Sequence, residues 1–237
     1  MSKFRLFLKY IPYIFHIIWF NFHYLPINQA IKLPILLYKP RFLKCKGNIK
    51  IEAETVYPGM IKLGTPIVSV YPYTGITIEL LGNIIFKGSC LIGNSSFMSV
   101  AKSGTCIYGD GFSATASLKV VCYKEIQFGE GCLIGWENLF CDTDFHSVKS
   151  TIFQKKLTAF APIYIGANNW FAMKCTTLKG TRTPDSIIIG ANSLLTKDYF
   201  SLSSNCIIAG QPARLIKENV YRDPFDDSID YTTFYNN

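Results

Sequence analysis

Residues 165–212 read IGANNW FAMKCT TLKGTR TPDSII IGANSL LTKDYF SLSSNC IIAGQP, and they divide into sixes. Ile165, Phe171, Thr177, Thr183, Ile189, Leu195, Ser201, Ile207 and Ala213 share one phase, with Gly166 and Gly190 directly behind a leading residue. The register recurs upstream as FKGSCL, IGNSSF and MSVAKS from Phe86, at Tyr108, Ala114 and Val120, and as FGEGCL, IGWENL and FCDTDF from Phe128. Slips near Gly104 and Glu125 mark short inserts. Six is a multiple of the strand period of two and fits no helix of 3.6, so the repeat predicts short strands joined by tight bends. The leading residue of each hexad points inward, and glycine permits the backbone angles of the bend. Cys90, Cys132 and Cys175 each stand four residues after a leading Phe and are read as small wall-filling side chains.

The chain of 237 residues is 49% hydrophobic and 17% charged, enough for a sizeable core within one domain. Its net charge of +8 is unevenly placed. Residues 1–50 carry nine Lys or Arg and no acid, whereas the remainder carries fifteen basic against sixteen acidic side chains, so the first fifty hold +9 and the rest −1. The basic leader is interleaved with large apolar groups (FRLFLKYIPYIFHIIWFNFHYLP) and comes with no nucleic-acid-binding motif, so nucleic acid is not expected as a partner. It either packs on the body or also meets a membrane surface peripherally through residues 1–25. Its apolar run from Ile11 to Phe20 falls short of the ~20 residues a spanning helix needs, and no small-residue cleavage site follows. Eight cysteines without a C-x-x-C pair or metal-type spacing favour a reducing, cytoplasmic setting, with peripheral contact at the inner face of the membrane as the variant.

The hexads stop after FCDTDF. Residues 147–161 read SVKSTIFQKKLTAFA, without glycine or period, before PIYIG restarts the coil. His146 stands at that exit and is the one histidine beyond His23. A scaffold displays chemistry where a loop leaves it. If strand alternation persists, Asp142, Asp144 and His146 lie on one side.

An aliphatic-Gly-x-x-small-x repeat of this extent resembles the hexapeptide-repeat acyltransferases, over about residues 80–217. Within them the chain is most similar to the O-acetyltransferases of bacterial capsule and surface-polysaccharide clusters, through FNFHYLPINQAIKLP, DTDFH and PIYIGANNW…IIIGANSLLTKD…IIAGQPARLIK. The resemblance implies an all-β fold, a left-handed parallel β-helix, although general chain chirality would suggest a right-handed crossover. The domain expectation is a basic, aromatic extension over 1–50, a β-helix over 51–217 with a loop at 147–161, and a short C-terminal helix or tail over 218–237. It also implies a homotrimer with sites in the clefts between subunits.

The activity implied is transfer of an acetyl group from acetyl-CoA to a sugar hydroxyl of a surface glycan or its precursor. Acyl transfer needs a base for the hydroxyl proton, and a neutral imidazole suits that near pH 7, so His146 is the expected general base. Asp144 or Asp142 would fix its tautomer; either could instead hold the acceptor's hydroxyls. By resemblance the Met173 N–H faces the thioester carbonyl after Trp170, where the family commonly has Ile-Gly and this chain has Phe171-Ala172. Ala191, Thr196 and Lys197 match positions lining the pantetheine and phosphates, and Arg214 and Lys217 match those near the adenosine phosphate. Trp136 offers a flat apolar face for a sugar ring or for a neighbouring subunit. The competing expectations are N-acetylation of an amino sugar or small antibiotic, and a non-catalytic β-helix binding module. Zinc-dependent hydration on the same scaffold needs three histidine ligands near the coil, where His146 stands alone, and no metal is expected.

Overall fold

The computed structural model describes residues 8–226. Their strands stack into three parallel sheets that form the sides of a triangular prism. Face A holds β1 (Ile35–Leu37), β4 (Ile61–Thr65), β7 (Cys90–Gly93), β10 (Phe112–Ala114), β13 (Leu133–Ile134), β16 (Trp170–Phe171), β18 (Ile188–Ile189) and β20 (Cys206–Gly210). Face B holds β2 (Pro40–Cys45), β5 (Ile76–Leu80), β8 (Ser96–Val100), β11 (Lys119–Cys122), β14 (Leu139–Cys141), β17 (Thr176–Leu178) and β19 (Leu194–Leu195). Face C holds β3 (Asn48–Ile51), β6 (Asn83–Phe86), β9 (Thr105–Tyr108), β12 (Glu125–Phe128) and β15 (Ile163–Ile165), continued by single bridges at Arg182 and Asp198.

The chain visits A, B and C in turn, so each strand pairs with the one a full coil later: Phe86 lies against Tyr108 and Tyr108 against Phe128. Leading residues such as Ile92, Met98, Val120, Ile134, Phe140, Phe171, Ile189 and Leu195 are buried along the axis. The Phe86, Tyr108 and Phe128 rings stack at 5.4 Å per step, because parallel in-register pairing repeats the same side-chain position each coil. The phase fails in the last coil. Ser201 is exposed and Ile207 faces outward, while Tyr199, Cys206 and Ile208 fill the interior, since β20 restarts alternation at Cys206.

Both ends differ from the sequence expectation. The coil begins at Ile35 rather than near residue 51: β1, β2 and β3 pair in parallel with β4, β5 and β6. Their segments ILL, PRFLKC and NIKI alternate without glycine-led hexads, which hides them from a period search. Ahead of them α1 (Ile14–Tyr24) and the short α2 (Ile27–Ala30) close the open end of the prism. Ile17, Phe20 and Ala30 are buried, and Phe20 stacks on Phe42 at 5.5 Å. Asn21, also buried, donates to the carbonyls of Ile17 and Ile35 at 2.8 Å and accepts from the Ile35 N–H at 3.0 Å, capping the first strand of face A. At the other end β21 (Ala213–Glu218) turns back antiparallel on β20 and shields the last edge, and among the described residues no helix follows it. The leader's residues 1–7 and the tail beyond 226 lie outside the described residues.

Besides residues 52–60 between β3 and β4, two longer segments interrupt the coil. Residues 66–75 replace a bend between faces A and B, and residues 142–162 replace one between faces B and C.

Candidate functional site

The second interruption is an antiparallel arm. Thr143 bridges Phe160 and Lys149 bridges Lys156. The Asp144 N–H donates to the Ala159 carbonyl at 2.8 Å, that of Ala161 to Asp142 at 3.1 Å, and that of Leu157 to Val148 at 2.8 Å. His146 sits just above the arm's base and is exposed, its N–H bonded to the Asp144 carbonyl at 2.7 Å. Phe145 beside it takes a positive φ of 59°, and its ring meets Tyr123 edge-on at 5.4 Å. The His146 imidazole has no hydrogen-bond partner among the described residues, and the residue is exposed.

The two aspartates do not do what alternation predicts, because the chain leaves the strand at Asp142. Asp142 is fully buried. Its Oδ1 accepts from the Tyr123 N–H at 2.7 Å, and its Oδ2 from those of Lys124 and Glu125 at 2.7 and 2.9 Å. It therefore caps the bend of the preceding coil and has no face left for an acceptor sugar. Burial pushes its carboxyl above the ordinary carboxylate value, while the three amide donors pull the other way. Asp144 pairs with Lys179 instead of His146, and Lys179 also donates to the Thr158 carbonyl at 2.6 Å. Lys179 thus ties both strands of the arm to the coil beneath. No motif or spacing signals it, since 35 residues separate it from Asp144.

The residues expected on the donor side fall into two groups. Trp136, Met173 and Ala191 are the middle residues of successive bends on the A–B corner, and Trp170 faces outward on A. The flanking amides are bonded, as Lys174 N–H to the Trp136 carbonyl at 2.7 Å and Asn192 N–H to the Met173 carbonyl at 2.9 Å. The Met173 N–H has no partner among the described residues, and neither do those of Trp136 and Ala191. The free amide is therefore a property of the corner, repeated once per coil. Thr196 and Lys197 are exposed on the B–C corner. Lys197 and Arg214 line one groove of about 210 Å³ with Asp198, Tyr199, Ser201, Leu202 and Leu215. Lys217 lies farther along β21, opposite Ile207 and outside that groove.

Face B therefore separates His146, Thr196 and Lys197 from Trp136, Met173 and Ala191. The thiols of Cys90, Cys132 and Cys175 are buried in the wall, and burial pushes each above its ordinary value, which suits packing and not nucleophilic attack. Among the described residues no three metal-ligating side chains cluster, and no helix is long and apolar enough to cross a membrane.

No family model matches the chain. It is 29% identical over 139 residues to an uncharacterized 24.8 kDa protein in the cps region of Klebsiella pneumoniae, covering 59% of this chain and 60% of that protein. It is 30% identical over 115 residues to the galactoside O-acetyltransferase of Escherichia coli (strain K12), covering 48% and 55%. The chain thus spans less than two thirds of the length of these curated relatives. Among solved structures it is similar to the polySia-specific acetyltransferase NeuO, with a TM-score of 0.50 at 17% identity, over 84% of this chain and 94% of that one. At that identity the likeness concerns the fold, and it fits the parallel β-helix whose left hand the family resemblance implied.

Proposed function

We propose that this chain, a member of the hexapeptide-repeat acyltransferase superfamily, is an O-acetyltransferase moving an acetyl group from acetyl-CoA to a sugar hydroxyl of a surface glycan or its precursor. One observation carries the reading: the coil opens at one corner into a pinned arm that exposes an unpartnered imidazole. In the transfer, His146 takes the proton from the acceptor hydroxyl as its oxygen attacks the thioester carbonyl. The C–O bond forms, the C–S bond breaks, and the proton passes to the departing thiolate. Asp144 acts through the arm, whose position its pair with Lys179 fixes.

On the donor side, the free N–H of Met173 faces the developing oxyanion, with Trp170 and Ala191 along the pantetheine. Lys197 and Arg214 in one groove suit the phosphate charges, with Thr196 and Lys217 nearby along the same end. His146 and Met173 are on different corners, so a complete site takes the base from one copy and the amide from the next. A homotrimer about an axis parallel to the prism brings such corners together.

The helical cap is the part suited to membrane contact. Phe15 is 82% exposed, and Ile18, Trp19 and Phe22 on the same helix are also exposed. Arg41 and Lys46 are exposed on the first coil, and the first fifty residues contain no acid to oppose an anionic surface. The enzyme then works in the cytoplasm, peripheral to the inner face of the membrane.

The test is incubation with acetyl-CoA and a panel of free and lipid-linked saccharides, with mass spectrometry of the products. A gain of one acetyl group on a hydroxyl supports the proposal. Acetylation of an amino nitrogen alone would make the protein an N-acetyltransferase, and no coenzyme binding would make the prism a binding module.

A further inference from the structure

The first interruption of the coil is left without a role by the acetyl-transfer machinery. Other bends between faces A and B take two to four residues, as between β7 and β8, yet residues 66–75 spend ten. The segment runs down the A–B corner as a strap. Asn94, buried, holds it by donating to the Pro72 carbonyl at 2.9 Å, and Thr74 donates to Ser95 at 3.0 Å. At its tip Tyr71 meets the Trp136 ring edge-on at 5.7 Å and donates its hydroxyl to Glu137 Oε1 at 2.8 Å. The other Glu137 oxygen lies 3.7 Å from Lys174 Nζ, beyond a good hydrogen bond, so the carboxylate keeps lone pairs free.

The corner itself signals expense. Glu137 and Lys174 occupy left-handed positions at φ 59° and 62°, where the next coil has Asn192 at 59°. Glycine or asparagine sits there at less cost than a Glu or Lys. Trp136 lies one coil, about 5 Å, from Met173, their backbones joined through Lys174. A flat indole face, a carboxylate oriented by a phenol and an ammonium group converge beside the amide proposed to meet the thioester.

We infer that Tyr71, Trp136 and Glu137 form the subsite that holds the acceptor, with a pyranose ring lying on the Trp136 indole and its hydroxyls donating to Glu137. This rests on the acetyltransferase reading for its role in turnover, though not for its existence as a carbohydrate site. Apolar ring faces and aligned hydroxyls are the chemistry an indole beside a carboxylate recognises.

The experiment titrates the full-length protein with neutral and acidic mono- and disaccharides while following tryptophan fluorescence, alongside steady-state kinetics where turnover occurs. Trp136→Phe and Glu137→Gln should each raise acceptor Kd and KM by about tenfold, as expected for losing one central contact. Tyr71→Phe should raise them two- to fivefold, roughly the worth of one hydrogen bond, and acetyl-CoA affinity should stay within twofold. Saccharide binding that depends on these residues without acetyl transfer would sink the acetyltransferase reading and leave the subsite standing. The subsite is overturned if no saccharide binds, if the variants bind with wild-type affinity, or if Trp136→Phe acts by dissociating the oligomer in sedimentation.

Discussion

Replacing Asp142 by alanine removes the acceptor for three backbone N–H groups at once, those of Tyr123, Lys124 and Glu125. Leaving a buried donor unpaired costs about 1–3 kcal/mol, and these amides are only partly buried, so the total belongs near the low end, at about 3–4 kcal/mol. For a chain of this size each kcal/mol moves the melting temperature by about 2–4 °C, which gives a fall of roughly 6–16 °C. Asp142→Asn should fall between, because one carboxamide oxygen still accepts while the NH2 group faces other donors. Calorimetric melts at neutral pH measure the shift, and acceptor KM measured at 15 °C separates stability from recognition. If Asp142→Ala melts within 2 °C of the native protein while acceptor KM rises tenfold, the carboxylate is a substrate ligand and its assignment as a bend cap is wrong.

His146→Ala should lower turnover by about two to four orders of magnitude with little change in acetyl-CoA affinity, since proton transfer is made only in the transition state; near-normal turnover at saturating acceptor would remove it as the base. Lys179→Met should cost stability at most about 1 kcal/mol, because its ion pair is partly exposed, yet it should open residues 147–157 to limited proteolysis; unchanged cleavage would mean the arm is held by its own backbone bonds. A thiol reagent at pH 8 should label the half-buried Cys45 quickly and the seven buried cysteines slowly, and fast labelling of more than two would contradict the packed wall. Chains of 26.8 kDa should sediment as a trimer at micromolar concentration, and an active monomer would show that no second copy completes the site. Phe15→Glu together with Trp19→Glu should reduce flotation with anionic vesicles at low salt while leaving acetyl-CoA affinity intact; loss of solubility instead would assign that face to packing.

Much of the prism is written in the sequence because its pairing is local in form. A period of six puts Phe86, Ile92 and Met98 inside by the same rule as Ile165 and Phe171, and a broken period marks the exit of the arm at His146. The ends were less legible: β1 to β3 carry alternation without the glycine signature, and Asn21 closes the coil through a side chain that no repeat announces. The roles of the aspartates were out of reach for a different reason. Alternation assigns sides only while a strand continues, and at Asp142 it does not, so one carboxylate turns in to cap a bend 17 to 19 residues back and the next turns to Lys179. In a coil, a residue's neighbour along the stacking direction lies a whole turn away, from 17 residues at Glu125 to 37 between Asn138 and Cys175. Sequence alone fixes how each turn is built, because that depends on side-chain alternation within six residues. Which charged groups meet between turns depends on insert lengths summed over intervening coils, and only the tertiary structure supplies that register.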